Sequence, residues 1–301
     1  MTASNASAKN ASDGKEARRR RFAPGAAKYA MTPGKAELLA FVAECGLLTT
    51  GQVARIAGIS KKAAYNRLRD LYDLGLLGRI AVPYASLAPP GADGPGLAWG
   101  PGENVHVPTR DGIKWLVEAG YLSEEEADGC KTPDFGPRNA LFLAHEVLVR
   151  EVRVWLELCA RTHGGQVVLW VDGEAAHFST VRPDAWFLFA LPSGKTLVGL
   201  VEADRGTERG DRWLAKADGY AQLLGSDELA DATGGRRNAR LVAVALDEAR
   251  RDRITRDLGA SPIAASSYVA TVEDLREGGL SSPVWRSKGK VGGVPLVMGE
   301  L

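Results

Sequence analysis

The 301 residues are 45% hydrophobic and 25% charged, the balance of a chain that builds its own cores, and at roughly 100–200 residues per domain they make about two domains. Three distant cysteines and four scattered histidines exclude a disulfide framework and a zinc-finger spacing. No apolar run approaches the ~20 residues of a membrane span, and the basic N-terminus lacks a leader's apolar core, so reduced thiols, a cytoplasmic location and no membrane partner are expected. The net charge is only +1, but residues 1–35 hold eight Lys or Arg against Asp13 and Glu16, a local +6 that leaves −5 on the remainder, as in chains that reach nucleic acid with a basic arm.

In chain order, residues 1–30 have no hydrophobic period and read as a disordered basic tail. Order starts at Thr32-Pro33, a cap and first-turn pair, and Leu38, Leu39, Phe41 and Val42 give a first helix that ends at Gly46. Thr50 is expected to cap a short second helix with Val53, Ala54 and Ile56. A turn at Ala57-Gly58-Ile59 leads to a third helix, capped by Ser60 and stopped by Gly75. Two strands, Leu76–Val82 and Asn104–Pro108, flank a Pro/Gly-rich loop at 89–102, and a helix at about Asp111–Gly120 follows. Three helices and then a long-looped hairpin are the elements of a winged helix-turn-helix, expected over residues 31–120, with 121–138 as a linker.

The third helix has two faces. Ala64, Leu68 and Leu71 recur at helical spacing and are expected to pack inward. Lys62, Tyr65, Asn66 and Arg69 form an outer stripe, joined by Lys61 at the helix start. Arg and Lys neutralise phosphates, and Asn and Arg also read base edges, so this stripe is the expected DNA-binding surface and double-stranded DNA the expected partner. A homodimer is left open.

Residues 139–275 read as an α/β domain in the order α-β-β-β-α-β-α-β, and 276–301 as a C-terminal tail. A long helix, Asn139–Arg161, carries Leu141, Ala144, Leu148, Val152, Trp155 and Leu158 at helical spacing. Strands are expected at Gln166–Val171, Arg182–Leu191, Thr196–Glu202, Arg240–Leu246 and near Ser267–Ala270, with helices at Asp211–Leu224 and Glu248–Leu258. The short turn at 192–195 predicts an antiparallel hairpin whose Trp186, Leu188, Val198 and Leu200 lie in the core.

Chemistry-bearing residues gather at the element ends. Asp184 opens one strand, Glu202 and Asp204 close the next, with Arg205 following, and Lys216 and Tyr220 share one face of the next helix. Carboxylates at the ends of neighbouring strands are hard ligands for Mg²⁺ or Mn²⁺, and Glu146 on the long helix supplies another. A lysine nearby stabilises charge on a phosphodiester under attack. Asp184, Glu202 and Lys216 are therefore the candidate catalytic residues, Asp184, Glu202 and Glu146 the candidate metal ligands, and Asp204, Arg205 and Tyr220 supporting residues. If Glu202 and Asp204 both lie in the strand they share a face, and Asp204 then adds a third carboxylate to the site.

The run Arg182-Pro-Asp184, then Glu202-Ala-Asp204-Arg205-Gly-Thr207, then Lys216-Ala-Asp-Gly-Tyr220 resembles the replication-relaxation family. The stretches Leu143-Ala-His145-Glu146 and Val105–Gly112 match its layout, and the likeness covers roughly residues 33–275. The resemblance implies a DNA-binding protein of plasmids, phages or integrated conjugative elements, acting in replication, DNA relaxation or transfer. An excess of arginine over lysine agrees with a high-GC source. The second domain also resembles the PD-(D/E)xK nucleases, in which Asp184 and Glu202 match the acidic ligands. That superfamily's strand lysine falls here at Asp204, and Lys216 stands in for it from the next helix, so metal-dependent cleavage and an inactive nuclease fold both remain open. The alternative class is a winged-helix transcriptional regulator whose C-terminal domain dimerises or senses a ligand. The separation of Asp184, Glu202 and Lys216 distinguishes the two.

Overall fold

The computed structural model describes residues 30–81, 104–130, 140–206, 212–279, 281–290 and 292–297. The basic tail at 1–29, the wing loop at 89–102 and the end of the expected linker lie outside the described residues. The chain divides into two compact units, one built from the described residues before 131 and the other from those after 139. Among the described residues no helix is long and apolar enough to cross a membrane.

The first unit runs α1 (Pro33–Cys45), β1 (Leu48–Thr49), α2 (Thr50–Ala57), α3 (Lys61–Asp73), β2 (Leu77–Ala81), β3 (Asn104–Pro108), α4 (Arg110–Glu118) and α5 (Glu124–Gly129). Its three strands pair antiparallel in the order β1-β3-β2. Leu39, Val42, Val53, Ala64, Leu68, Leu71 and Leu116 are wholly buried and form its core. Lys35 of α1 pairs with Asp70 of α3 at 2.9 Å.

Local chemistry corrects three expectations here. Thr32 occupies the cap position of α1, but its carbonyl, not its side chain, accepts the first N–H groups. The cap of α2 is Thr49, one residue earlier than expected, because Gln52 lies three residues on and closes a capping box with it. The expected linker contains α5, since Ser123 and Glu126 form a second capping box and three glutamates sit at the positive end of the helix dipole.

The second unit runs α6 (Ala140–His163), β4 (Gln166–Asp172), a 3₁₀ turn (Gly173–Ala176), β5 (Ala185–Ala190), β6 (Thr196–Asp204), α7 (Arg212–Leu224), α8 (Asp227–Ala232), β7 (Ala239–Ala245), α9 (Glu248–Gly259), β8 (Ser267–Thr271) and α10 (Val272–Glu277). It is a mixed α/β fold with a five-stranded sheet in the order β4-β5-β6-β7-β8. The α-β-β-β-α-β-α-β order expected from the apolar runs is present, with α8 and α10 added to it. Strands β4, β5 and β6 pair antiparallel, and the five-residue β5–β6 connection is too short to do anything but reverse the chain, whereas β6, β7 and β8 pair parallel through helical crossovers. The β5–β6 hairpin is as expected, and Trp186, Leu188, Val198 and Leu200 are buried.

Both faces of the sheet are covered. On one, Leu148, Val152, Trp155 and Leu156 of α6 pack over Phe187, Val201 and Val242. On the other, Trp213, Ala217 and Tyr220 of α7 and Ile254 of α9 pack over Leu200, Leu241 and Ala243. Gly199 is required by this packing, since a Cβ there would lie 2.1 Å from the Phe187 ring.

Two boundaries differ from expectation. Strand β5 begins at Ala185, not at Arg182, because Pro183 has no N–H for the ladder, although the Asp184 N–H still reaches Val201 O at 3.0 Å. The described residues of the expected 276–301 tail are part of the fold. Trp285 is fully buried, edge-on to Trp155 with ring centres 5.4 Å apart, and Arg286 exchanges backbone hydrogen bonds with Val269 along the edge of β8. This strap occupies the outer edge of the last strand, which would otherwise present unpaired N–H and C=O groups.

Candidate functional site

The site lies where β5 begins and β6 ends, neighbours because the hairpin runs antiparallel. Asp184 is held by its own backbone bond to β6, and its Oδ2 accepts the Ala203 N–H at 2.7 Å. On its other side His145 Nε2 of α6 lies 3.1 Å from Oδ1. Burial disfavours the imidazolium, but the hydrogen bond and charge of Asp184, with Glu146 and Glu202 adding to them, outweigh it and hold His145 above its ordinary range.

Glu202 points to the opposite face of the sheet from Ala203 and is only 2% exposed. The α7 residues four apart meet it together: Lys216 Nζ donates to Oε2 at 2.6 Å and Tyr220 OH donates to Oε1 at 2.7 Å. Burial and the charge of Asp184 push the Glu202 carboxyl up to about 7, against the opposing pull of Lys216 and Tyr220. The site opens to solvent at Asp184, His145 and Lys216, whose side chains are 21%, 29% and 28% exposed. Three of the expected residues, Asp184, Glu202 and Lys216, together with Tyr220, thus lie in one cluster.

Glu146 belongs to the same electrostatic neighbourhood but is turned toward Arg150. Arg150 Nη2 lies 3.5 Å from Glu146 and 3.0 Å from Asp172 of β4. Burial raises the Glu146 carboxyl, the charges of Asp172 and Asp184 raise it further, and Arg150 and His145 oppose them.

Asp204 corrects an expectation. Strand β6 does persist to it, so it shares a face with Glu202, yet its carboxylate does not crowd the site. Arg250 of α9 grips it through Nε at 3.1 Å and Nη2 at 2.7 Å, and Trp213 Nε1 donates at 2.9 Å. Asp204 is a buried structural anion that ties α7 and α9 to the end of β6. Arg205, next along, is half-buried.

The donors suit a hard divalent cation in type: Asp184 and Glu202 offer carboxylate oxygens close enough for their charges to interact. Among the described residues, however, no three His, Cys, Asp or Glu side chains are gathered as a ready metal cage.

Sequence reasoning gave no role to His145, Arg150 or Arg250. The i,i+4 spacing of Glu146 and Arg150 on α6 was a local signal. Arg250 lies 46 residues from Asp204 and gave none.

In the first unit, α3 presents the expected faces. Ala64, Leu68 and Leu71 are wholly buried, Lys61, Lys62, Tyr65 and Asn66 are exposed, and Arg69 is 41% exposed beside Asp70 at 3.7 Å.

No curated protein sequence matches this chain. The structure of restriction endonuclease FokI is similar at 10% identity over 80% of this chain and 43% of that one, with a TM-score of 0.28, a likeness too slight to bear on chemistry. This chain therefore spans less than half the length of that enzyme. A family model described as replication-relaxation matches residues 39–238, and the chain belongs to that family.

Proposed function

We propose that this replication-relaxation protein is a DNA-binding protein of a mobile element. Its first unit, read as a winged helix-turn-helix, docks on duplex DNA, and its second acts on the phosphodiester backbone with Mg²⁺ or Mn²⁺ during plasmid replication, relaxation or transfer.

The observation that carries this reading is the seating of Glu202. Lys216 and Tyr220 hold both its oxygens beside Asp184, at a sheet end that is open to solvent. A fold needing only a core would not bury a carboxylate and crowd it with a second one, because that costs free energy. A transcriptional regulator accounts for the first unit but gives no reason for this convergence.

Within the reading, Asp184 and Glu202 would hold the cation through their carboxylate oxygens. A bound cation supplies a polarised phosphate and a more acidic water. Lys216 Nζ, partly exposed at the mouth, places positive charge beside the phosphate, in the role of the strand lysine that Asp204 displaces. Tyr220 fixes the Glu202 rotamer, and His145 fixes that of Asp184. The outer stripe of α3 contributes phosphate and base contacts through Lys61, Lys62, Asn66 and Arg69, with Tyr65 among them.

The test pairs a gel shift on duplex DNA with a thermal titration by Mn²⁺. Salt-sensitive DNA binding is expected, as is a metal-induced rise in melting temperature that Asp184→Ala abolishes. DNA binding with no metal response would reduce the second unit to a scaffold. No DNA binding would overturn the reading.

A further inference from the structure

The far end of the five-stranded sheet holds a second site. A cavity of about 570 Å³ is lined there by residues that open β6 and β7, including Thr196, Leu197, Ala239 and Arg240. Glu202 is five residues further along β6, so at about 3.3 Å per residue the two sites lie roughly 15 Å apart or more along the strand. The volume suits a small organic ligand, for which about 300–1,000 Å³ is usual.

The lining is cationic. Lys195 reaches it from the β5–β6 turn, Arg237 from ahead of β7 and Arg240 from within β7, and none of the described residues lining it is acidic. Arg240 lies over the ring of Tyr268, its guanidinium carbon 5.1 Å from the ring centre, a cation–π contact that holds the guanidinium at the cavity wall. Its Nη1 is buried and has no hydrogen-bond partner among the described residues. A buried charged donor left without an acceptor is costly, and an oxyanion would supply both the acceptor and the countercharge. Arg237 is paired with Asp227, but those side chains are 57% and 80% exposed, so that pair is weak and free to rearrange. Asn238 and Ser266 add neutral hydrogen-bonding groups, while Leu197 and Leu224 supply an apolar wall.

We propose that this cavity binds a nucleoside phosphate, with the phosphate among Lys195, Arg237 and Arg240 and the base against the apolar wall. The ligand is either a free nucleotide or a nucleotide of a DNA strand, which share this chemistry. The inference does not depend on the carboxylate site.

The test is an equilibrium titration of the full-length protein with ATP and, separately, with a short DNA duplex, using inorganic phosphate as the reference anion. EDTA is present throughout, so that a nucleotide–metal complex at the carboxylates makes no contribution. Saturable ATP binding is expected, weakened tenfold or more by Lys195→Glu, Arg237→Glu and Arg240→Gln. The first two alter exposed side chains, and an unchanged melting temperature shows that they fold. Displacement of ATP by duplex, with the same loss in the variants, assigns the site to a strand nucleotide. Retention of ATP in the presence of duplex assigns it to a free nucleotide. Absence of saturable ATP binding together with duplex binding that survives all three substitutions, or ATP binding that survives all three, overturns the proposal.

Discussion

At the scale of single residues, the buried Glu202 carboxyl couples stability to pH. Its folded value, about 7, is raised above the ordinary 4.5, so the native state keeps the proton that the unfolded chain gives up. The resulting stabilisation is complete below about pH 4.5 and is lost as pH climbs through about 7, a swing on the order of 3 kcal/mol. In metal-free protein, Glu202→Gln keeps the shape and removes the titration. Its melting temperature relative to wild type should therefore rise from pH 5 to pH 8, and a difference independent of pH would contradict this account. Arg250 offers a second test. Arg250→Ala strands the buried Asp204 charge and should cost about 3–5 kcal/mol in urea unfolding. A neutral pair, Asp204→Asn with Arg250→Met, should recover much of that. Asp184 and Glu202 were legible in the sequence because each sits in a short motif at one end of an apolar run, and Lys216 and Tyr220 because their spacing of four puts them on one helix face. The Asp204–Arg250 pair was not, because nothing at local spacing distinguishes a metal ligand from an anion gripped by an arginine on a distant helix.

At the scale of elements, periodicity served well wherever one face is buried. Ala64, Leu68 and Leu71 marked the inner side of α3, while the short turn at 192–195 marked the β5–β6 hairpin. The outer side of α3 predicts a salt effect. Replacing Lys62 and Arg69 by Ala should flatten the dependence of log affinity on log salt by about 0.9 for each phosphate that is no longer neutralised. An unchanged slope would remove α3 from the DNA interface. The strap beyond α10 was not legible, because its Gly- and Pro-containing sequence has no period. It holds one large anchor, Trp285, against Trp155. Trp285→Ala should cost about 3–5 kcal/mol in unfolding of the second unit, whereas a true tail would show a change within about 0.5 kcal/mol.

At the scale of the whole molecule, the order of the strands decides which residues meet. The antiparallel hairpin brings the start of β5 to the end of β6, and the parallel step to β7 requires α7 to cross the same face. Asp184, Glu202, Lys216 and Tyr220 therefore converge although they span 37 positions of chain. The same topology gathers Lys195, Arg237 and Arg240 at the opposite end. The central claim is that the carboxylate end of the sheet acts on DNA. Conversion of supercoiled plasmid to the open-circular form tests it most directly, with Mn²⁺ or EDTA and with wild type or Glu202→Gln. Nicking by wild type in Mn²⁺ is expected, absent in EDTA and reduced at least a hundredfold in Glu202→Gln. Equal nicking by both proteins, or none by wild type in Mn²⁺ while it still binds the plasmid, would contradict it.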